Sequence, residues 1–563
     1  LPYLLVLTLI VSLFVSACSN KQGTEDHGKS TDQTKNTAES GDQSNRADTQ
    51  ILQLASDGDI STMDVNHATD GVSLRALEEV RSGLMRLDVK GNPIPDMAAA
   101  KPKISKDQTI YTFTLREDAK WSNGDPVTAQ DFVYSWKKEV SKDTAAEYAY
   151  IFASAGIKNA AKIMNPDSDL YNKVDKLGIK AIDKHTLQVT LERPIPFFLS
   201  LLSFPTFFPK NEKVAKKYGA HYATEPDKMV YNGPFTMTDW NHGEGWTFEK
   251  NPKYWDAKNI QLSKVQYKIT KDISTRIKLY QSGKLDYTNL NSDYINQFKG
   301  KSDLHTGVLG PSMVFLRLNE KNPVLDNEDV RDAIYNAINR KNLVKFLLKD
   351  GSAPAHYLVG KDFATLPNGE DFRSAHPTIN KHSLKWAKNK WNKGLKEVGK
   401  TSVKLELLIY DDSTNKKIAQ YIAAQLEKNL PGMKITLNTQ PLNQFLKVEG
   451  SGNYDISLGS WGPDYPDPMS DLDMWVTGGP FNRTGYSNKT FDQLIHKAKH
   501  LGAQPAKRMK VMQKAEKILL EDAPVIPLYQ PAFAYLQKPY VKQFLVDRPG
   551  PNNDWTYTFL TQH

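Results

Sequence analysis

Hydrophobic and polar positions alternate with two different periods along this chain. Across 111–116 every second residue is apolar, which is the period of a half-buried strand. Across 132–140 apolar residues recur every three or four positions, as on one face of a helix. Thr128 precedes that segment, and Asp131 lies three positions after Thr128. This is the pattern of a capping box with Asp in the usual Glu position. We therefore predict a strand at 111–116 and a helix that begins after Thr128.

A second region combines both periods in the order strand, helix, strand. Alternation predicts a strand over 403–409, an amphipathic helix over 418–430 that ends at Pro431-Gly432, and a further strand from Ile435. Such a unit crosses over right-handedly into a parallel pairing of its strands. Helical spacing also predicts one long helix over 330–348. The body is therefore expected to be a large α/β protein.

The beginning of the chain has a different pattern. Leu4 to Val15 is almost wholly apolar and no charge occurs before Cys18. This run is shorter than the roughly 18 to 20 residues that span a bilayer, and it suits the core of a signal peptide. Val15-Ser16-Ala17-Cys18 looks like a bacterial lipobox, whose cysteine receives a diacylglycerol and becomes the new N-terminus after cleavage. We predict a lipoprotein signal peptide at 1–17, a lipidated Cys18 with a disordered tether through residue 50, and a precursor that begins further upstream.

The composition excludes several classes of site and partner. Cys18 is the only cysteine among 563 residues, which excludes an internal disulfide framework, an iron–sulfur cluster and a zinc site with several thiolates. Residues 19–50 hold four cations and six anions, so the net charge of +9 leaves +11 on residues 51–563. These charges are scattered singly, without the basic stripe of a nucleic-acid binder. We expect no nucleic-acid partner.

Two weak motifs are set aside on physical grounds. Gly23–Ser30 fits the pattern of a phosphate-binding loop, but such a loop needs a strand before it and a helix after it. Neither pattern is present, and Glu25 and Asp26 would repel phosphates. His496 and His500 are four positions apart, and we interpret them as part of a solvated helix face in preference to a weak metal pair.

The densest polar constellation is Trp461–Pro468, which contains Asp464 and Asp467. Asp471 and Asp473 follow it. The EF-hand spacing for calcium is absent. A carboxylate pair for glycoside hydrolysis and a rigid, proline-rich surface loop both remain open at this point. No metalloprotease, nucleophile-elbow or dinucleotide motif occurs.

Several segments in a shared order carry a family resemblance from about Ile51 to the end of the chain. They are Tyr111–Arg116 with Lys120–Gly124, Val127–Phe132, Asn232–Phe235, Asn251–Trp255, Asp329–Ile334, and Trp461 with Asp464–Pro468. Together they resemble the extracytoplasmic solute-binding proteins of the peptide/nickel class, family 5. The resemblance is strongest to the oligopeptide-binding lipoproteins of ABC importers, and the lipobox supports it independently.

The resemblance implies a two-lobed periplasmic-binding-protein fold of type II with an extra third domain and a cleft that closes about a hinge. The expected divisions are lobe I at 51–72, 200–310 and 527–563, domain II at 73–199, and lobe III at 311–526. The ligand would be enclosed between lobes I and III.

The resemblance also implies the ligand-binding residues. Asp464 would meet the ammonium group of a peptide, and Tyr148 would contact the peptide near that end. Asp59, Ile60 and Ser61 on one side, and Ser460, Trp461 and Gly462 on the other, would pair with the peptide backbone as added strands. The segment 454–460 contains no cation. Some relatives hold the carboxyl ends of short peptides with arginines there, so a preference for tri- or tetrapeptides is in doubt.

The function implied is a monomeric oligopeptide receptor without a cofactor or catalytic activity. It would be held by the lipid on Cys18 at the extracytoplasmic face of the cell membrane, and would deliver peptides to an ABC permease powered by a separate ATPase. Three alternatives remain open: a receptor for peptide pheromones or signals, a nickel- or haem-binding member of the same family, and an extracellular hydrolase that uses Asp464 and Asp467.

Overall fold

The computed structural model describes residues 45–89, 91–375, 383–463, 465–479, 481–546 and 553–563. The predicted signal peptide, Cys18, the Gly23–Ser30 motif and Asp464 lie outside these residues. Across the described ranges, no helix combines the length and the apolar character that a membrane crossing requires.

The strands and helices follow in chain order. The strands are β1 (Ile51–Ser56), β2 (Met85–Leu87), β3 (Pro93–Pro95), β4 (Lys103–Ile104), β5 (Ile110–Thr114), β6 (Ile179–Ala181), β7 (Thr186–Thr190), β8 (Phe235–Asn241), β9 (Gly245–Lys250), β10 (Lys264–Ile269), β11 (Tyr287–Leu290), β12 (Leu304–Leu309), β13 (Met313–Leu318), β14 (Ala353–Pro354), β15 (Val403–Tyr410), β16 (Met433–Gln440), β17 (Ile456–Trp461), β18 (Val525–Gln530), β19 (Ala532–Gln537), β20 (Val541–Lys542), β21 (Leu545–Val546), β22 (Asn553–Asp554) and β23 (Phe559–Leu560). The α-helices are α1 (Gly71–Val80), α2 (Ala129–Glu139), α3 (Ala149–Ser154), α4 (Ala160–Met164), α5 (Phe198–Leu201), α6 (Glu212–Tyr218), α7 (Ile273–Gln281), α8 (Ser292–Ile295), α9 (Glu328–Ala337), α10 (Arg340–Asn342), α11 (Leu384–Glu397), α12 (Ser413–Asn429), α13 (Leu442–Ser451), α14 (Met469–Leu472), α15 (Lys489–Lys499) and α16 (Pro505–Asp522).

The largest sheet has six strands in the order β14-β18-β13-β17-β15-β16. β15 and β16 run parallel along their whole length, from Val403 opposite Met433 to Tyr410 opposite Gln440. Helix α12 connects them and buries Ile418 and Ile422 in the adjoining core. The predicted strand–helix–strand unit is therefore confirmed.

The remaining large sheets lie at other positions along the chain. One has the order β1-β10-β9-β8, a second β11-β19-β12, and a third β4-β5-β7-β6. The third contains the predicted strand near residue 111. Each of these sheets falls within one of the predicted divisions, whereas β18 runs across the boundary at 526/527. Because Arg46 to His563 cluster as one compact unit, the division boundaries stay a prediction.

The capping box at the start of α2 is confirmed. Asp131 Oδ2 accepts a hydrogen bond of 2.8 Å from the Thr128 amide, and the Thr128 side chain accepts from the third residue of the helix. The pair satisfies two amides that the first helical turn leaves without partners. Trp136 on the same helix is fully buried, and its indole donates to Phe207 O at 2.9 Å.

The predicted long helix over 330–348 is wrong. Helix α9 ends at Ala337, and Ile338 is extended, with φ −97° and ψ 122°. Asn339 then caps α10, its side chain accepting from the Asn342 amide at 3.0 Å. Asn side chains compete in this way with helix continuation. The helix therefore breaks here, although the helical spacing of apolar residues continues in the sequence.

The packed part of the chain begins earlier than the predicted boundary at Ile51. Arg46 forms an isolated bridge with Thr561, and the Ala47 amide donates to Leu560 O at 2.9 Å. Gln50 Nε2 donates to the same carbonyl at 2.8 Å. The predicted tether through residue 50 is therefore too long, because its last residues pair with the C-terminal strand segment.

Two chain segments, one between β12 and β13 and the other between β18 and β19, run next to each other where they connect different sheets. β12 leads into β13, and β18 leads into β19, with Gly310 N donating to Pro531 O at 2.9 Å where they cross. Gln530 is fully buried there. Its Nε2 donates to Gly310 O at 2.8 Å and Lys361 O at 2.9 Å, while its Oε1 accepts from Tyr357 and from the Lys361 amide. A buried amide with every hydrogen bond made fixes the crossing geometry.

Candidate functional site

The end of β17 presents an open strand edge. On one side β17 pairs with β13 along its length, up to Trp461. On the other side β15 pairs with it only at Ile456 and Ser457. In the described part of the chain, no strand continues this side of the sheet along 458–461. Ser460 and Gly462 are exposed there, so an extended ligand can add as a strand.

Buried charges hold β17 in place. Arg317 Nη1 lies 2.7 Å from Glu449 Oε1, and the two side chains are 4% and 2% exposed. Ser457 Oγ donates to the same carboxylate at 2.5 Å. Burial lowers the pKa of Arg317 while the charge of Glu449 opposes that shift. Gly459 is required beside them, because a Cβ at that position would lie 2.3 Å from Arg317 Nη1.

A row of aromatic rings connects Trp461 to Tyr148. The Trp461 ring lies 5.4 Å from Phe481, which lies 5.7 Å from Tyr150, and Tyr150 lies 6.2 Å from Tyr148. Tyr148 in turn meets Phe204 edge-on at 5.1 Å. The indole nitrogen of Trp461 donates to Ser470 O at 3.0 Å. The ring itself packs against Phe481 in the aromatic row. Two residues predicted to contact a ligand are thus brought into one apolar wall, and Tyr150 and Phe481 were not predicted.

The segment 59–61 is held by other parts of the molecule. Asp59 accepts from the Ile60 amide at 2.8 Å, from the Trp240 indole at 3.3 Å and from the Gly243 amide at 2.6 Å. The Ser61 amide donates to Ser73 Oγ at 3.0 Å. Because both amides are used within the chain, a ligand strand would have to take the carbonyl groups of this segment. Its pairing with a peptide stays a prediction.

The motif 461–468 is anchored by a buried ion pair. Asp467 accepts two hydrogen bonds from the Arg508 guanidinium, at 2.6 and 2.8 Å, and both side chains are at most 5% exposed. Burial tends to lower the pKa of Arg508, but the charge and hydrogen bonds of Asp467 raise it above its usual value. Tyr465 stacks on Phe197 with centroids 4.3 Å apart and planes at 15°. Asp464, which precedes both anchored residues, lies outside the described residues.

The two histidines lie at the end of α15. Their rings are 4.3 Å apart, and His500 Nδ1 donates to His496 O at 2.8 Å. No group of three or more metal-ligating side chains was found among the described residues. Both histidine side chains are exposed, as expected for a solvated helix face.

Comparison with known proteins identifies the family. The family model described as "Bacterial extracellular solute-binding proteins, family 5 Middle" matches residues 92–483, which is more than half of the chain. The chain belongs to solute-binding protein family 5.

Relatives of family 5 match along nearly all of their length. The dipeptide-binding protein DppE of Bacillus subtilis is 36% identical over 496 residues, covering 87% of this chain and 89% of DppE. Listeria monocytogenes OppA bound to peptide is 40% identical with a TM-score of 0.78, and the pheromone receptor PrgZ is 34% identical with a TM-score of 0.79. These two matches cover 92% and 91% of this chain, and 100% of each structure. The predicted family and its α/β multi-domain fold are confirmed.

The cations near β17 in this family 5 protein come from outside segment 454–460. Arg317 comes from β13, and Arg483 from the loop after Phe481. Both pair with Glu449, Arg483 through its Nη1 and Glu449 Oε2. Sequence reasoning missed them because both reach Glu449 from positions far from 454–460 in the chain, Arg317 from a neighbouring strand and Arg483 from a loop. Both guanidinium groups share the one buried carboxylate of Glu449, so each has an ion-pair partner although the three side chains together keep a charge of +1.

Proposed function

We propose that this protein captures oligopeptides by their free amino end and delivers them to an ABC permease that is powered by a separate ATPase. The observation that carries the proposal is the open edge of β17 at 458–461, beside the aromatic row and the anchored motif 461–468. Main-chain hydrogen bonds at such an edge give affinity without reading sequence, while alternate side chains enter pockets. The names of DppE and of the peptide-bound Listeria OppA support the same ligand class.

The ammonium end of the peptide is assigned to Asp464. An α-amino group has a pKa of about 7.7 to 8.0 and is mostly cationic near neutral pH. Tyr465 and Asp467, which follow Asp464 by one and three positions, are both fixed by packing or charge. In this role the protein binds and releases peptides and performs no covalent chemistry.

Calorimetry with one mixed-sequence pentapeptide and its N-acetylated twin tests the proposal. We expect the free peptide to bind and the acetylated peptide to bind at least about a hundredfold more weakly, since a carboxylate enclosed together with the peptide would lose its partner charge. Absence of binding by a broad set of free peptides would overturn peptide capture itself. Equal binding of the twins would remove only the assignment of Asp464.

A signalling receptor is the second candidate, and the similarity to the pheromone receptor PrgZ favours it. A panel of random peptides separates the two functions. Binding of many sequences with similar affinities indicates nutrient uptake. Tight binding of one sequence with weak binding of the rest indicates a receptor for a defined signal.

The lipid on Cys18 is the proposed attachment to the extracytoplasmic face of the membrane. Two acyl chains anchor a protein stably where one is marginal. Full-length protein with Cys18→Ser should leave the membrane fraction or stay as an unprocessed precursor, whereas calorimetry should give unchanged peptide affinity. Membrane retention of a processed Cys18→Ser protein would contradict the assignment.

A further inference from the structure

A cavity of about 180 Å³ lies at the carboxyl end of β1, where Ser56 and the residue after it line its wall. A single water needs only about 10 to 15 Å³ of such space, so a much larger group fits. Most of the wall is apolar or aromatic, but charged side chains also contribute to it. The residues that matter for a ligand are Trp246, Tyr287, Asn289, Arg75, Arg276 and Asp57.

Two neighbouring parallel strands bring the two arginines to this cavity. β1 and β10 pair in parallel along their whole length, with Ser56 opposite Ile269 at their carboxyl ends. The first helix after β1 is α1, which carries Arg75, and the first helix after β10 is α7, which carries Arg276. In open α/β sheets, ligands bind outside the carboxyl ends of the strands. Segment 59–61, which is predicted to flank the peptide, follows β1 at this same end.

Neither guanidinium group has an anionic partner within the described ranges. Arg75 and Arg276 form no side-chain hydrogen bond or ion pair there, and Arg276 Nε is shielded from solvent as well. Asp272, four positions before Arg276 on α7, accepts from the Thr275 amide at 2.7 Å instead. Asp57 lines the cavity but pairs with neither cation. Since buried polar groups nearly always have partners, the cavity offers donors that the described residues leave unused.

Two uncharged donors line the same cavity. Trp246 is 3% exposed, and its indole nitrogen has no hydrogen-bond partner among the described residues. Its ring is held by stacking on Tyr267, with centroids 4.8 Å apart and planes at 18°. Asn289 Oδ1 accepts from the Tyr287 hydroxyl at 2.5 Å, which orients the amide and leaves its NH₂ group to a ligand. The cavity therefore suits a group that only accepts hydrogen bonds.

We propose that this cavity receives a carboxylate of the captured peptide, bound by Arg75 and Arg276. Together with Asp57 the two arginines give the wall a net charge of +1, which favours an anion. Arginine binds carboxylates through paired hydrogen bonds, and the aromatic wall suits the apolar part of the residue that carries the carboxylate. The inference rests on the proposed peptide capture and supplies a cationic site that segment 454–460 lacks. A carboxyl end and an acidic side chain present the same group, and the test separates them.

Calorimetry at one ionic strength with three pentapeptides tests the proposal. The first peptide has a free carboxyl end and one internal glutamate, the second is amidated at its carboxyl end, and the third has glutamine in place of the glutamate. The variants are Arg75→Gln and Arg276→Gln. Lys278→Gln is the matched control, because Lys278 is an exposed cation on α7 that does not line the cavity.

We expect the parent to bind one of the two altered peptides roughly ten- to a hundredfold more weakly than the first, since hydrogen bonds between ionised groups are strong. Weak binding of the amidated peptide assigns the cavity to the carboxyl end, and weak binding of the glutamine peptide assigns it to the side chain. Arg75→Gln and Arg276→Gln should each weaken binding of the first peptide and lose most of this discrimination. Lys278→Gln should match the parent.

Three results would contradict the proposal in distinguishable ways. Equal binding of all three peptides by the parent overturns the carboxylate site and leaves peptide capture standing. Variants that weaken all three peptides by one factor show that the arginines do not read a carboxylate, which also overturns it. Failure of the parent to bind any free peptide overturns peptide capture, and this assignment with it.

Arginine modification of the parent protein keeps the test decisive if a variant folds poorly. Phenylglyoxal reacts with accessible guanidinium groups, and mass spectrometry of the digested protein locates the modified residues. At saturating concentrations, the first peptide should slow the modification of Arg75 several-fold, whereas the peptide without the responsible carboxylate should not. Equal modification of Arg75 with all three peptides would overturn the proposal.

Discussion

Replacement of Asp464 by asparagine is expected to weaken the binding of a free pentapeptide by roughly a hundredfold to several thousandfold. The estimate follows from the cost of leaving a buried charge without its partner, about 3 to 5 kcal/mol, converted at 1.4 kcal/mol per factor of ten. Asparagine has nearly the same shape, so packing around Tyr465 and Asp467 should persist. Calorimetry gives the affinity, and thermal unfolding should show an unchanged midpoint.

Acetylation of the peptide provides the matched partner for a double-mutant cycle. If Asp464 meets the ammonium group, Asp464→Asn and N-acetylation remove the same interaction, and their combined effect should be far less than the sum of the two. Asp362→Asn is the control substitution, because the side chain of Asp362 is 65% exposed. Additive losses from Asp464→Asn and acetylation would contradict a direct contact.

The same interaction predicts a pH dependence. The peptide amine loses its proton above a pKa of about 7.7 to 8.0. Affinity of the parent protein should therefore decline by up to about tenfold per pH unit beyond that range. Asp464→Asn should be nearly insensitive to pH over the same interval. A steep decline in both proteins would place the titrating group elsewhere.

Local regularities were predictable from the sequence, and contacts between distant segments were not. The period of β15 and α12 is visible in the chain because each of these elements buries one face. The break in the helix predicted over 330–348 was missed, because Asn339 interrupts the helix without disturbing the spacing of the apolar residues. The start of the packed body was missed as well. Arg46 and Ala47 look like tether residues until their partners Thr561 and Leu560 are known.

In the candidate site, too, the local motif was predictable from the sequence and the contacts between distant residues were not. The motif at 461–468 stands out in the sequence by its composition and by its resemblance to family 5. Phe481 and Tyr150 have no signal of their own, because their role depends on rings brought together from distant positions. Asp467 resembles a solvated acid in the sequence. Only the fold reveals that Arg508, 41 positions away, holds it in the interior.

That ion pair is the second site at which a large effect is expected. Arg508→Met would leave the Asp467 carboxylate buried without a counter-charge, and should lower the free energy of unfolding by about 3 to 5 kcal/mol. Peptide affinity should fall too, because the motif 461–468 loses its anchor to α16. Thermal unfolding and calorimetry on the same preparation measure both effects. Lys507→Met is the control, since Lys507 is exposed on the same turn of α16.

The double variant Arg508→Met with Asp467→Leu separates charge from packing. Replacement of a whole buried ion pair by apolar residues of similar volume is often neutral or stabilising. The double variant should therefore recover most of the lost stability, less the hydrogen bond of 2.9 Å that Asp467 accepts from the Met469 amide. If stability returns while peptide affinity stays low, the ion pair serves to orient the motif, since the apolar pair restores packing but not the bidentate geometry. Stability of Arg508→Met equal to that of Lys507→Met would show that water reaches Asp467, contrary to its burial in the structure.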